Sequence, residues 1–424
     1  MQRNSLTYQS YLKILTRELV PAMGCTEPIA IAYCAAKARA VLGALPNHIE
    51  VKASGNIIKN VKSVVVPNTG GRRGIAVAAA LGALAGDATN GLEVIADISV
   101  EAKTNLGEYL ENTKIITSSA NSDHLLDITV TVYRDNSWAK VRTVNEHTNI
   151  VLIEKDGKVL KNKEILDVED TDCPDYTLLT VKDIYDFAET AFIQDVKSIL
   201  DRQITLNTAI SNEGLKKDYG ANIGKVILKV YGDNVKVRAR AMAAAGSDAR
   251  MNGCELAVVI NSGSGNQGIT ASIPVIEYAK ELKADKEKLY RALLISNLVT
   301  LHQKTGIGRL SAYCGAVSAG AGAGAGIAYL CGGDYETIIH TIVNTLAVTS
   351  GIICDGAKSS CAAKIAVAVD AGIIGYEMYK NGQQFYGGDG VILKGVENTI
   401  KNIGRLGRVG MYETDKEIIR MMTE

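Results

Sequence analysis

The segment "CGAVSAGAGAGAGIAYLCGG", residues 314–333, decides the fold. It approaches membrane-spanning length and carries Gly-xxx-Gly spacing. It is mostly glycine and alanine, with few large apolar side chains. Small residues let other backbones come close, so the segment reads as a tightly packed buried helix and not as a membrane span. From about residue 180 onward the rest of the chain also reads as mainly helical, punctuated by glycine-rich turns.

The N-terminal part is expected to be helical as well. "MQRNSLTYQSYLKILTREL" (1–19) is patterned as an amphipathic helix and lacks the charged start and apolar run of a signal segment. "TEPIAIAYCAAKARAVLG" (26–43) can be capped by Thr26, with Pro28 in the first turn. "HIEVKAS" (48–54) and "KSVVVP" (62–67) are expected as short strands joined by the polar turn "GNIIKN" (55–60). "IAVAAALGALAG" (75–86) reads as a buried helix. From about 93 to 172 the texture changes. "LEVIADISVEAK", "TKIITSSA", "LLDITVTVYRD", "SWAKVRTVNE" and "NIVLIEKDGKVL" are rich in β-branched residues with turns between them, so they read as strands. The acidic link around Pro174 supplies a boundary. The expected class is α+β. A mainly helical domain with buried Gly/Ala-rich helices, residues 1–92 and 173–424, is interrupted by an inserted strand-rich α+β domain, residues 93–172.

The 424 residues are enough for a large core in two or more domains. With 47% hydrophobic and 22% charged residues the chain is globular. Its 46 basic and 46 acidic side chains cancel, which argues against general binding to nucleic acid or to an anionic membrane. Eight cysteines without a secretion signal do not form a disulfide scaffold, so a cytoplasmic protein is expected. There is no CxxC pair, and the five histidines are scattered, so no zinc site is signalled.

The chemistry concentrates around three of those cysteines and a fourth near the N-terminus. Cys354 and Cys361 flank the turn signal Asp355-Gly356. On one continuous helix, seven residues would span about 10.5 Å along the axis. A helix starting near Ser359 or Ser360 instead puts Cys354 in the loop before it and Cys361 in its first turn. A loop thiolate can then fold back beside a first-turn thiolate, where the helix dipole favours an anion. Two buried structural cysteines around a turn explain the same spacing. Cys314 opens the Gly/Ala helix and is uninformative alone. Cys25 precedes the cap Thr26, where the helix dipole lowers a thiol's pKa while Glu27 opposes it. Cys34, Cys173, Cys254 and Cys331 read as structural. The loop "NSGSGNQG" (261–268) offers flexible N–H groups and short polar side chains that can cradle a carboxylate or phosphate, but it matches no dinucleotide or phosphate-loop motif.

Taken together, "PAMGCTEPIAIAYCAAKA" (21–38), "ASGNIIKNVKSVVVPNTGG" (53–71), "GSGNQGITASIPV" (263–275), "GIGRLSAYCGAVSAGAGAGAGIAYL" (306–330) and "SGIICDGAKSSCAAKIA" (350–366) resemble the L-cysteine desulfidase family. That family is related to the alpha part of iron–sulfur L-serine dehydratases, and the resemblance runs over nearly the whole chain. It implies a lyase with a [4Fe–4S] cluster and no pyridoxal phosphate. By position in the motifs, Cys314, Cys354 and Cys361 would ligate the cluster and leave one iron open, and Cys25 would be the base. Asn56, Ser262, Ser264 and Asn266 are the expected contacts for the carboxylate and amine of a small amino-acid substrate. The implied reaction is β-elimination of L-cysteine to sulfide, ammonia and pyruvate. A thiol, with pKa near 8.5, leaves more easily than water, with pKa about 15.7. Chemistry alone nevertheless permits both cysteine and serine. An L-serine dehydratase and a non-catalytic iron–sulfur sensor are the alternatives, and a homodimer is the one assembly left open.

Overall fold

The computed structural model describes residues 1–165 and 174–423. Ser5 accepts the Tyr8 N–H and opens α1 (Leu6–Glu18), which buries Tyr8, Tyr11, Ile14 and Leu15. β1 (Pro21–Met23), α2 (Thr26–Leu42), β2 (His48–Ala53), α3 (Gly55–Val61), α4 (Ile75–Ala85) and α5 (Val100–Asn112) follow. Next come β3 (Lys114–Ser119), β4 (Asp127–Arg134), β5 (Ser137–Val144), β6 (Ile150–Lys155) and β7 (Lys158–Asn162). The C-terminal part begins with α6 (Val181–Thr190), α7 (Ile193–Lys216), α8 (Ile223–Tyr231), α9 (Val235–Met251) and β8 (Ala257–Val259). It continues with α10 (Gly265–Glu281), α11 (Lys286–Ile307), α12 (Gly315–Leu330), α13 (Tyr335–Thr349), α14 (Cys361–Lys380), α15 (Val396–Arg405) and α16 (Tyr412–Thr423).

The strands β3-β2-β4-β5-β6-β7 form one sheet, antiparallel throughout except for the parallel pair β2–β3. Period-two alternation turns Ile49, Val51 and Ala53 of β2 inward, and α2 packs across β4 and β5. β1 pairs antiparallel with β8, Pro21 opposite Val259, which ties the start of the chain to its helical second half.

In that half α12 is central, packed against α10, α11, α13 and α14. Its glycines work on two faces. A Cβ at Gly320 would come within 2.3 Å of the Ala368 carbonyl, and one at Gly324 within 2.8 Å of the Gly372 carbonyl, both on α14. A Cβ at Gly322 would meet the Ser296 carbonyl at 2.4 Å, and one at Gly326 the Ala292 carbonyl at 2.9 Å, both on α11. Two interleaved Gly-xxx-Gly pairs therefore seat two partner helices at backbone contact. Among the described residues no helix is long and apolar enough to cross a membrane.

Three local readings are corrected. "GNIIKN" is not a hairpin turn but the body of α3, and "KSVVVP" forms no strand beyond a single bridge from Val65 to Arg73. "LEVIADISVEAK" leaves a 3-10 turn at Glu93 and is irregular up to Ser99, which caps α5 by accepting the Ala102 N–H, so Val94, Ile95 and Ile98 fill the core from a loop while Val100 is exposed. The sheet also recruits β2 from before residue 93, so the strands do not start at that boundary. The boundary read at 172 and the thiol of Cys173 lie outside the described residues.

The α12 contacts generate a stability prediction. Gly320→Ala adds a better helix former, worth about 1 kcal/mol. It is still expected to lower the urea midpoint, because overpacking against a backbone carbonyl costs about 1–3 kcal/mol. Gly351→Ala, where a Cβ meets nothing within 4 Å, should stay within about 0.5 kcal/mol of the parent. Paired urea melts read the difference.

Candidate active site

Four helices begin at the wall of one cavity. Cys25 is the N-cap of α2, Ser264 of α10 and Cys314 of α12, while Cys361 is the first residue of α14 after its N-cap Ser360. None of these four caps makes a side-chain hydrogen bond to its helix. By contrast, Ser99, Thr180, Asn234, Asp285 and Asp334 do so for α5, α6, α9, α11 and α13. The helix start falls one residue earlier than the sequence suggested, with Cys25 rather than Thr26 at the cap. Four positive dipole ends thus meet at the cavity without a side-chain cap, a setting that favours anions.

The three cysteines expected together are together. Tyr313 and Ile353 form an antiparallel bridge. The Cys314 N–H donates to the Ile352 carbonyl at 3.1 Å and the Cys354 N–H to the Ala312 carbonyl at 2.6 Å. Alternation along this short ribbon sends Cys314 and Cys354 to one face, although they are forty positions apart. Cys361 joins them from the start of α14, and all three line the cavity as free thiols. Burial and the neighbouring Cys354 push the Cys314 thiol up to about 12, and burial raises Cys361 as well. Among the described residues no three His, Cys, Asp or Glu side chains are grouped to hold a single metal ion.

Cys25 lies on the same cavity. Gly24 before it has φ +68°, and a Cβ there would meet Pro67 Cγ at 2.5 Å, so glycine is needed to present the cysteine. The Cys25 Sγ donates to Glu27 Oε2 at 3.0 Å. Glu27 also accepts from Asn60 Nδ2 at 3.0 Å and Thr26 Oγ1 at 3.1 Å, and His147 Nε2 stands 3.9 Å from its other face. Burial opposes the Glu27 charge, but His147 and the Cys25 thiol outweigh it and hold the carboxyl at about 2. Burial and that carboxylate push the Cys25 thiol well up, while Arg250 pulls the other way. Burial, with Glu27 second, therefore outweighs the helix dipole and favours the thiol form of Cys25.

Of the expected substrate contacts, Asn56, Ser264 and Asn266 line the cavity. Ser262 does not. It occupies a tight turn, φ +48°, and faces a neighbouring cavity with Arg309 and Glu18. The turn closes through reciprocal backbone bonds between Asn261 and Ser264, so those two N–H groups are already used. The cavity also holds Lys59, Arg250, Gln267 and Lys304, which the sequence reading passed over. Lys59 is buried against Asp415 of α16 at 2.5 Å, and Asn56 Nδ2 donates to the same carboxylate at 2.9 Å. Burial pushes the Lys304 amine down to about 8. Asn56 Oδ1, Asn266 Oδ1, Gln267 Oε1 and the Arg250 Nε and Nη2 atoms are buried without partners. Such atoms are costly unless a ligand satisfies them.

The serine dehydratase alpha chain family matches residues 89–420. The chain belongs to this family. It is 60% identical over 422 residues to a UPF0597 protein of Desulfitobacterium hafniense, covering 100% of this chain and 98% of that one. Relatives of the same name from Lachnoclostridium phytofermentans, 52% identical, and Fusobacterium nucleatum, 44% identical, cover at least 98% of both chains. The matched span includes Cys314, Cys354 and Cys361, and Cys25 and Asn56 precede it. A serine dehydratase-like lyase is consistent with both the family and the amino-acid-sized polar site.

Glu27 gives the site a pH signature. Its carboxyl titrates at about 2 in the folded protein against 4.5 when free. It thus stabilises the fold above pH 4.5, by about 3 kcal/mol at one unit per 1.4 kcal/mol. That contribution is lost as pH falls from about 4.5 to 2. Glu27→Gln should lack this dependence, so urea midpoints of parent and variant should converge between pH 6 and pH 3.

Proposed function

We propose that this protein is an iron–sulfur lyase that eliminates the β-substituent of L-cysteine, giving sulfide, ammonia and pyruvate. The observation that carries the reading is the meeting of Cys314, Cys354, Cys361 and Cys25 on one cavity. The donor set fits a cluster. Three free thiols from a ribbon and a helix start converge, and their anions would repel one another. Cys314, Cys354 and Cys361 would hold the [4Fe–4S] group, one thiolate per iron. When bound, that group supplies an open iron able to act as a Lewis acid on the leaving group.

The chain's own residues do the rest. The amide oxygens of Asn56, Asn266 and Gln267 accept from the substrate ammonium. Its positive charge offsets Glu27, which lowers the cost of the Cys25 thiolate. The Cys25 proton is released to water as the ammonium binds, Glu27 staying ionised beside His147, and the thiolate Sγ takes the Cα proton. The electron pair of the Cα–H bond forms the Cα=Cβ bond, and the Cβ–S bond breaks with its pair going to sulfide. The released 2-aminoacrylate becomes an imine and hydrolyses to pyruvate and ammonia. The family name favours serine as a second reading of the same site. The sulfur leaving group, and its softness match to iron, favours cysteine.

Anaerobically purified protein should be brown and should release pyruvate with a higher kcat/KM from L-cysteine than from L-serine. Cys314→Ala should lose iron. Cys25→Ser should keep iron and lose at least about 10²-fold in kcat. Faster pyruvate from serine would reassign the substrate. A Cys25→Ser enzyme of full activity would move the base to another group, Lys304 first.

A further inference from the structure

Arg250 is only 2% exposed, yet no ion pair in the described residues involves it, and its Nε and Nη2 have no hydrogen-bond partner. A guanidinium cannot shed its proton, so burial leaves it charged and in need of an anion. The other cations on the cavity differ. Lys59 is paired with Asp415, Lys364 with Asp355 and Arg309 with Glu18. Lys304 has the charges of Cys354 and Cys314 as its neighbours, which places it on the side of the expected cluster ligands. Arg250 instead lies beside Cys25, where its charge is felt at the thiol. The fold makes room for it: a Cβ at Gly265 would fall 2.3 Å from Arg250 Nε. Ser264 and the first turn of α10 stand beside it.

We propose that Arg250 is the specificity-determining anchor for the α-carboxylate of an amino-acid substrate. This rests on the β-elimination reading for the identity of the substrate but not for its carboxylate. The Arg250 fork faces a carboxylate two-to-two. The unpaired amide oxygens of Asn56 and Asn266 then face the ammonium. A substrate held between them has its Cα hydrogen toward Cys25 and its side chain toward Cys314, Cys354 and Cys361. The site therefore favours α-amino acids with free carboxylates and small side chains over their amides, esters and decarboxylated amines.

The test uses two fragments of cysteine on the anaerobic holoprotein, followed by calorimetry. 3-Mercaptopropionate keeps the carboxylate and lacks the amine, and cysteamine keeps the amine and lacks the carboxylate. Arg250→Gln should weaken 3-mercaptopropionate about 10- to 100-fold, the range of a charge-assisted pair, and leave cysteamine within about twofold. Arg250→Lys, which keeps the charge and loses the fork, should weaken 3-mercaptopropionate by about tenfold or less, and it serves alone if the glutamine variant does not fold. Equal weakening of both fragments, no weakening of either, or failure of the parent to bind 3-mercaptopropionate would overturn the anchor. If the selective loss appears but neither cysteine nor serine is turned over, the anchor stands and the elimination reading falls.

Discussion

Four α-helices start at one cavity with no side chain of their own to satisfy their first-turn N–H groups. The rest of the molecule follows from this electrostatic constraint. Converging positive helix ends repel unless something negative lies between them. The protein supplies only part of that negative charge, as Glu27, Asp355 and Asp415, and each of these is already engaged by a neighbour. Five of the buried polar atoms without partners, on Asn56, Arg250, Asn266 and Gln267, line this cavity.

The glycine stripes of α12 make the convergence geometrically possible. Helices with ordinary side chains pack at 8–10 Å between axes. The backbone contacts at Gly320, Gly322, Gly324 and Gly326 bring α11 and α14 in closer. Cys361 at the head of α14 and Lys304 near the end of α11 are thereby drawn toward Cys314 at the head of α12. The apolar character that made this segment resemble a membrane span is a consequence of that packing, since every residue from Ala316 to Ala328 is buried on all sides.

Much of this was legible in the residues. The small-residue helix, the helix start after Ser360, and the meeting of Cys314, Cys354 and Cys361 were all anticipated and stand in the structure. The misses have physical causes. "GNIIKN" carries turn-favouring Gly and Asn, but tertiary contacts from Lys59 and Asn56 to Asp415 hold it helical, and no local propensity reports a partner more than 350 residues away. Had it been read as a helix, Asn56, Lys59 and Asn60 would have shared one face at i, i+3 and i+4. Arg250 and Lys304 sit in runs that read as ordinary helix, and their burial is decided by elements elsewhere in the chain. His147 looked like one of five scattered histidines. Only the sheet's β5–β6 turn reveals that it stands over Glu27, which also gives the strand-rich region a part in the site.

The Lys59–Asp415 pair has a consequence for how the protein comes into being. Cys25 lies near one end of the described chain and Asp415 near the other, and both belong to the same cavity wall or its support. A nascent chain cannot close that wall while α16 is still inside the ribosome. Until then Lys59 has no counter-charge and its helix has little reason to form. The thiols of Cys314, Cys354 and Cys361 emerge before α16 does and are open to solvent and oxygen until it docks. The interval between emergence of α12 and docking of α16 is therefore the period in which these thiols are most exposed to oxidation.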